Sequence, residues 1–120
     1  MSLKQTLLKL RNDYVVRQVV RMRFPDFTDT GKVRKRIVFS GKVQNIGFRY
    51  EAQLIAGCLG LTGTACNMPD GSVTVELQGS RERIDSFIRS VKGVARFHIT
   101  KSEQSNIPLQ ELENNFEIIG

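Results

Sequence analysis

The chain has 120 residues, of which 40% are hydrophobic and 25% charged, and its formal net charge is +6. This is the size and composition of one globular domain with a single core, and no run approaches the roughly 20 apolar residues of a membrane-spanning helix. The charge is uneven. Residues 1–36 hold ten Lys or Arg against three acids, or +7, while residues 37–120 hold eight bases and nine acids, or −1. The basic pI therefore describes the N-terminal segment, and it implies no nucleic-acid partner for the rest. Lys4, Lys9 and Arg11 interrupt the apolar residues at the start, so the segment does not read as a signal peptide. Cys58 and Cys66 are accordingly expected as free thiols in a reducing cytoplasm.

In chain order, Leu3, Leu7, Leu10 and Tyr14 recur at helical spacing, which predicts an amphipathic helix over residues 3–14. From Val15 to Phe24 two readings stay open. The alternation in VVRMRF (19–24) suits a strand, and a continued helix fits as well. FPDFTDTGK (24–32) is a linker signal. The chain thus divides into a basic extension, residues 1–32, and a domain, residues 33–120.

The domain is well punctuated. RIVFSGKV (36–43) is β-branched and aromatic, a strand pattern. After Gly47 a helix follows with Phe48, Ala52, Ile55 and Leu59 on one face, ended by Gly60. LTGTACN (61–67) and SVTVELQG (72–79) are strands joined through the turn MPDG. In the second, Val73, Val75 and Leu77 face one way and Thr74, Glu76 and Gln78 the other, which predicts one packed and one wet sheet face. Ser80 can cap a second helix with Ile84, Phe87, Ile88 and Val91 buried, ended by Gly93. ARFHITK (95–101) alternates as a strand, with Ala95, Phe97 and Ile99 on one face and Arg96, His98 and Thr100 on the open face; NFEII (115–119) closes the chain. The order is β-α-β-β-α-β with a short terminal strand. Two helices cannot cover both faces of such a sheet, so the expected fold is the α+β ferredoxin-like sandwich, with both helices on one face of an antiparallel sheet.

GKVQNIGFRYEA (41–52) raises the functional question. A strand ends, a turn follows, and a helix starts at about Phe48. The first amides of a helix lack internal partners and carry partial positive charge. A turn of successive amides adds to them and makes an anion nest. Arg49 supplies a full charge and a planar fork matched to phosphate oxygens.

Three separated blocks then carry a family resemblance. Gly41, Val43, Gln44, Gly47, Phe48 and Arg49 form the first; Gly60, Leu61, Gly63 and Asn67 the second; Asp70, Gly71 and Val73 the third. Over about residues 35–120, with a final Phe-x-Ile at Phe116 and Ile118, the chain resembles the acylphosphatases. Asn45 stands where the family pattern has glycine, Ile46 where it has valine, and Thr64-Ala65 where it has Trp-Val. The resemblance implies the fold expected above and hydrolysis of a small acyl phosphate to a carboxylate and inorganic phosphate. It implies that Arg49 and the backbone amides of Gln44, Asn45, Ile46, Gly47, Phe48 and Arg49 hold the phosphoryl group, and that Asn67 positions the attacking water. No cofactor or metal is implied, and no His, Cys or carboxylate cluster has metal-ligand spacing.

Beside the hydrolase stands a second class, a non-enzymatic module of the same fold whose nest and basic arm bind an anionic partner. No Cys-x5-Arg phosphatase loop begins at either cysteine, so both read as small packed or semi-exposed residues, and His98 reads as solvated. All motif residues lie after Val33, which makes the basic extension dispensable for chemistry. Residues 1–24 are a candidate surface for membrane binding or self-association.

Overall fold

The computed structural model describes residues 13–120. Leu3, Leu7 and Leu10 of the expected first helix therefore lie outside the described residues. Residues 13–20 are helical (α1), so the continued helix, not the strand, is the outcome for the start of the ambiguous stretch. Val15 and Val19, one turn apart, are buried, and Val19 joins the main core. From residue 22 to residue 31 there is no regular structure. This linker is nonetheless tied down. Asp29 accepts from Ser80 Oγ at 2.6 Å and from Arg83 Nε at 2.9 Å, and Thr30 Oγ1 donates to Glu82 Oε1 at 2.7 Å.

The remaining elements follow the expected order: β1 (Lys32–Lys42), α2 (Phe48–Cys58), β2 (Thr62–Asn67), β3 (Val73–Ser80), α3 (Arg81–Lys92), β4 (His98–Asn106) and β5 (Phe116–Ile118). The five strands form one sheet in the order β4-β1-β3-β2-β5. The fold is the ferredoxin-like α+β sandwich. Its core combines the inward residues Ile37, Phe39, Ala65, Val73, Val75 and Leu77 of the sheet with Ala52, Ile55, Ile84 and Phe87 of the two long helices. The period of two in β3 and of 3.6 in the helices aims these side chains at one another. Ser80 caps α3 by accepting from the Arg83 amide, as its position before an apolar stripe predicts.

Three details depart from the expectations. First, the sheet is antiparallel except at one edge, where β5 pairs parallel to β2 with Gly63 opposite Phe116. Second, β4 starts at His98 and not at Ala95. Phe97 is drawn into the core against Phe48, ring centroids 4.7 Å apart, so the chain turns there, and Ala95 and Arg96 precede the strand. Third, the open sheet face is not fully wet. Residues 107–115 run from one sheet edge to the other, and Gln78 exchanges two hydrogen bonds with the backbone of Gln110, at 2.8 and 3.0 Å. Arg34 and Gln78, each 3% exposed, are buried there, with Arg34 bonded to Glu76 and Glu113 at 3.0 and 2.8 Å. A buried guanidinium of this kind requires such partners.

Candidate active site

The loop between β1 and α2 is built by backbone conformations that few residues tolerate. Asn45 has φ 64° and Gly47 has φ 82°, both left-handed. Glycine adopts that region freely, and Asn better than other side chains. Such positive-φ residues in a tight turn aim successive amides into one concavity. Gly47 is also the N-cap of α2, and no side chain caps that helix end. Phe48, 2% exposed, anchors the first turn between Phe39 and Phe97. The helix N-terminus is thus fixed in the core while its amides carry no side-chain cap.

Arg49 and Asn67 come together at this point. A main-chain oxygen of Gly120 accepts from Arg49 Nη1, and the same oxygen accepts from the Asn67 backbone amide at 3.0 Å. The Asn67 Oδ1 atom is buried and has no hydrogen-bond partner among the described residues. An orphaned buried amide oxygen costs about 1–3 kcal/mol, so it asks for an explanation. Turn formation does not supply one. The β2–β3 turn is closed without the Asn67 side chain, by Met68 and Ser72, by Asp70 accepting from the Ser72 amide and hydroxyl at 3.0 and 2.6 Å, and by Gln44. Those Ser72 bonds hold the Asp70 carboxyl below its usual pKa. Gln44 Nε2 donates to the carbonyls of Met68 and Ser72 at 2.8 and 2.9 Å. The Gln44 side chain therefore ties the loop to the turn beside Asn67, a bracing role that the sequence did not indicate.

A second group was missed altogether. Arg96, expected on the open sheet face beside His98, lies elsewhere: its Nε donates to the Ile46 carbonyl at 2.9 Å. Its Nη2 pairs with Glu51 Oε1 at 2.9 Å, and Glu51 is fully buried on α2. Burial pushes the Glu51 carboxyl above its usual pKa, against the opposing pull of the Arg96 hydrogen bond and charge. The only signal in the sequence was a glutamate one turn into a helix, next to its buried stripe. Its partner is 45 residues away, beyond any local pattern.

Cys58 and Cys66 are unpaired, and His98 is exposed as expected. Among the described residues, no three His, Cys, Asp or Glu side chains gather closely enough to hold a metal ion, and no helix is long and apolar enough to cross a membrane.

Comparison with known proteins identifies the family and the fold. The acylphosphatase family model matches residues 35–118. The acylphosphatase of Clostridium acetobutylicum is 35% identical over 80 residues, which span 66% of this chain and 88% of the relative. That of Lactobacillus johnsonii is 37% identical over 82 residues, 67% of this chain and 90% of the relative. The crystal structure of acylphosphatase from Bacillus subtilis superposes with a TM-score of 0.68 at 30% identity, covering 73% of this chain and 99% of that one. The chain belongs to the acylphosphatase family.

Proposed function

We propose that this protein is an acylphosphatase in which the Gln44–Arg49 loop holds the phosphoryl group of a small acyl phosphate and Asn67 orients the attacking water. The observation that carries the reading is the meeting of Arg49 and the Asn67 backbone at one oxygen, beside an N-cap built by two left-handed residues. An oxygen accepting from both groups supports this point as the seat of an anionic oxygen of the substrate. The uncommitted Oδ1 of Asn67 is available to water.

The chemistry needs little more. The leaving group is a carboxylate, a weak base that needs no protein acid. Water adds to phosphorus as the phosphorus–acyl oxygen bond breaks, and the water proton passes to a phosphoryl oxygen. Such a transfer depends on positioning and charge stabilisation. Preorganised amides and a fixed guanidinium provide both without reorganising during the step. In the same reading, residues 33–120 form the catalytic domain and residues 1–32 an extension, the protein works in the cytoplasm with its thiols reduced, and no nucleic acid or metal takes part. Val16 and Val20, both exposed beside Arg17 and Arg21, support residues 1–24 as a surface for a membrane or a second copy.

The test is hydrolysis of benzoyl phosphate by the purified full chain. Turnover inhibited competitively by inorganic phosphate is expected, unchanged by a chelator. A folded protein that binds phosphate yet releases no benzoate would point to the non-enzymatic module instead.

A further inference from the structure

Arg96 has all three of its guanidinium nitrogens committed, each to a different part of the molecule. Nε donates to the Ile46 carbonyl in the loop at 2.9 Å, Nη2 to Glu51 on α2 at 2.9 Å, and Nη1 to Gln18 Oε1 on α1 at 2.8 Å. The group also packs on two rings, 4.8 Å from the centroid of Phe97 and 5.5 Å from that of Tyr14. Gln18 and Tyr14 belong to the N-terminal extension, outside the residues matched by the family model.

The grip on Ile46 matters because a trans peptide is planar, with its C=O and the following N–H pointing in opposite directions. Holding the Ile46 carbonyl toward Arg96 therefore turns the Gly47 amide the other way, to the side opposite Arg96. This peptide unit joins Ile46 to the left-handed Gly47, one residue after the left-handed Asn45. Units next to such residues can rotate as a whole, exchanging N–H for C=O, as between the common and the glycine-requiring turn types. The rotated form would present a carbonyl oxygen to an anion in place of a donor.

We infer that Arg96 is a positioning residue that fixes the Ile46–Gly47 peptide for phosphate binding, and that α1, through Gln18 and Tyr14, belongs to the support of the site. The inference rests on the reading of this loop as the phosphoryl-binding element. Glu51 keeps the guanidinium in place; its second oxygen has no hydrogen-bond partner, so Arg96 is its one hydrogen-bonded side-chain partner among the described residues. Gln18 and Tyr14 restrict it from the extension. Binding affinity then scales with the fraction of molecules in which the peptide is correctly turned.

Two variants of the full chain test this, Arg96→Lys and Gln18→Ala. An ammonium keeps the charge beside Glu51 but cannot span three acceptors in one plane. Inorganic phosphate titration should show affinity lowered roughly 10-fold in Arg96→Lys and about 2- to 5-fold in Gln18→Ala, the share lost as the competent fraction falls. The Gly47 amide resonance should move in both variants, with melting in Gln18→Ala almost unchanged. A Gly47 resonance that stays in place in folded Arg96→Lys and Gln18→Ala would overturn the inference, as would unchanged phosphate affinity alongside a lowered melting temperature. If the native protein itself neither binds phosphate nor turns over benzoyl phosphate, the proposed function fails. The Gly47 resonance then still decides whether Arg96 and α1 set the peptide.

Discussion

The two sides of the loop between β1 and α2 are built on different principles. The side that carries Arg49 and meets Asn67 uses backbone amides, one guanidinium and two left-handed residues, nearly all within six consecutive positions. The other side is held by Arg96, Glu51 and Gln18, drawn from residues up to 78 positions apart. In the proposed reading the first supplies the groups that act on a substrate. The second supplies only orientation, and it does so with an ion pair whose carboxylate is fully buried. The contrast teaches that a loop can be written in one short stretch of sequence while its support is assembled from distant parts of the chain.

The sharpest way to break the comparison is at Arg49. Arg49→Ala should lower kcat/KM for benzoyl phosphate on the order of 10³-fold or more, as removal of a guanidinium from a phosphoryl-transfer site does. Arg49→Lys should restore little, because the fork is lost. Melting should barely change, since the one hydrogen bond that the side chain makes among the described residues is to Gly120 at the surface. Near-normal turnover in Arg49→Ala would remove the loop from the chemistry.

Asn67 comes next. Asn67→Ala should reduce turnover by about 10²-fold, the scale of one lost preorganised contact, while inhibition by inorganic phosphate stays the same. Its thermal stability should hold or rise, because the change deletes a buried oxygen that has no partner. Asn67→Asp sets a negative charge beside an anionic ligand and should weaken both turnover and phosphate inhibition. Lower stability with intact turnover in Asn67→Ala would mean that the side chain serves the hairpin.

These two residues were legible in the sequence because they sit in short blocks of fixed spacing, as were the elements that hold them. Strand and helix periods, turn glycines and the Ser80 cap are all local signals. What was not legible depends on distance in the chain. Arg96 follows an alternating pattern that reads as an open sheet face, and only the insertion of Phe97 into the core turns it toward the loop. Gln78 alternates as a wet residue and is covered by a segment that begins 29 positions later. Gln44 was read only through its backbone amide, and its side chain braces the turn beyond Asn67.

Two carboxylates sharpen the comparison through pH. Burial raises the Glu51 pKa above the usual 4.5, so the folded state holds that proton more tightly than the unfolded chain. Its contribution to stability is full below about pH 4.5 and declines as pH rises through the folded value. Glu76 behaves oppositely. Burial pushes it up, but hydrogen bonds and charge from Arg34 and Arg36 outweigh that and lower it. Its contribution is present above about pH 4.5 and lost as pH falls through the lowered value. Replacing either with Gln should therefore change the slope of stability against pH, with opposite signs. Chemical denaturation at several pH values, from 3 to 7, reads both. Parallel curves for Glu51→Gln and the native protein would show that Arg96 fully offsets the burial of Glu51.

The smallest expected effect lies at Asn45, where the chain departs from the glycine of the family pattern. Its φ of 64° is left-handed, and for most side chains that region costs about 1–2 kcal/mol. Asn avoids part of the cost because its short amide can bond locally. Asn45→Gly removes what strain is left, but glycine also enlarges the conformational freedom of the unfolded chain, worth about 0.4–1 kcal/mol. The two terms oppose each other, so stability should change by no more than about 0.5 kcal/mol, and phosphate inhibition should hold. Asn45→Ala has no such compensation and should cost about 1 kcal/mol. Asn45→Val should cost more, because branching at Cβ tolerates positive φ least. If all three variants melt together, the loop does not depend on a left-handed residue at this position. If Asn45→Ala melts lower and its phosphate affinity also falls, while Asn45→Gly keeps both, the backbone conformation at residue 45 is what shapes the nest, and the Asn side chain contributes nothing further.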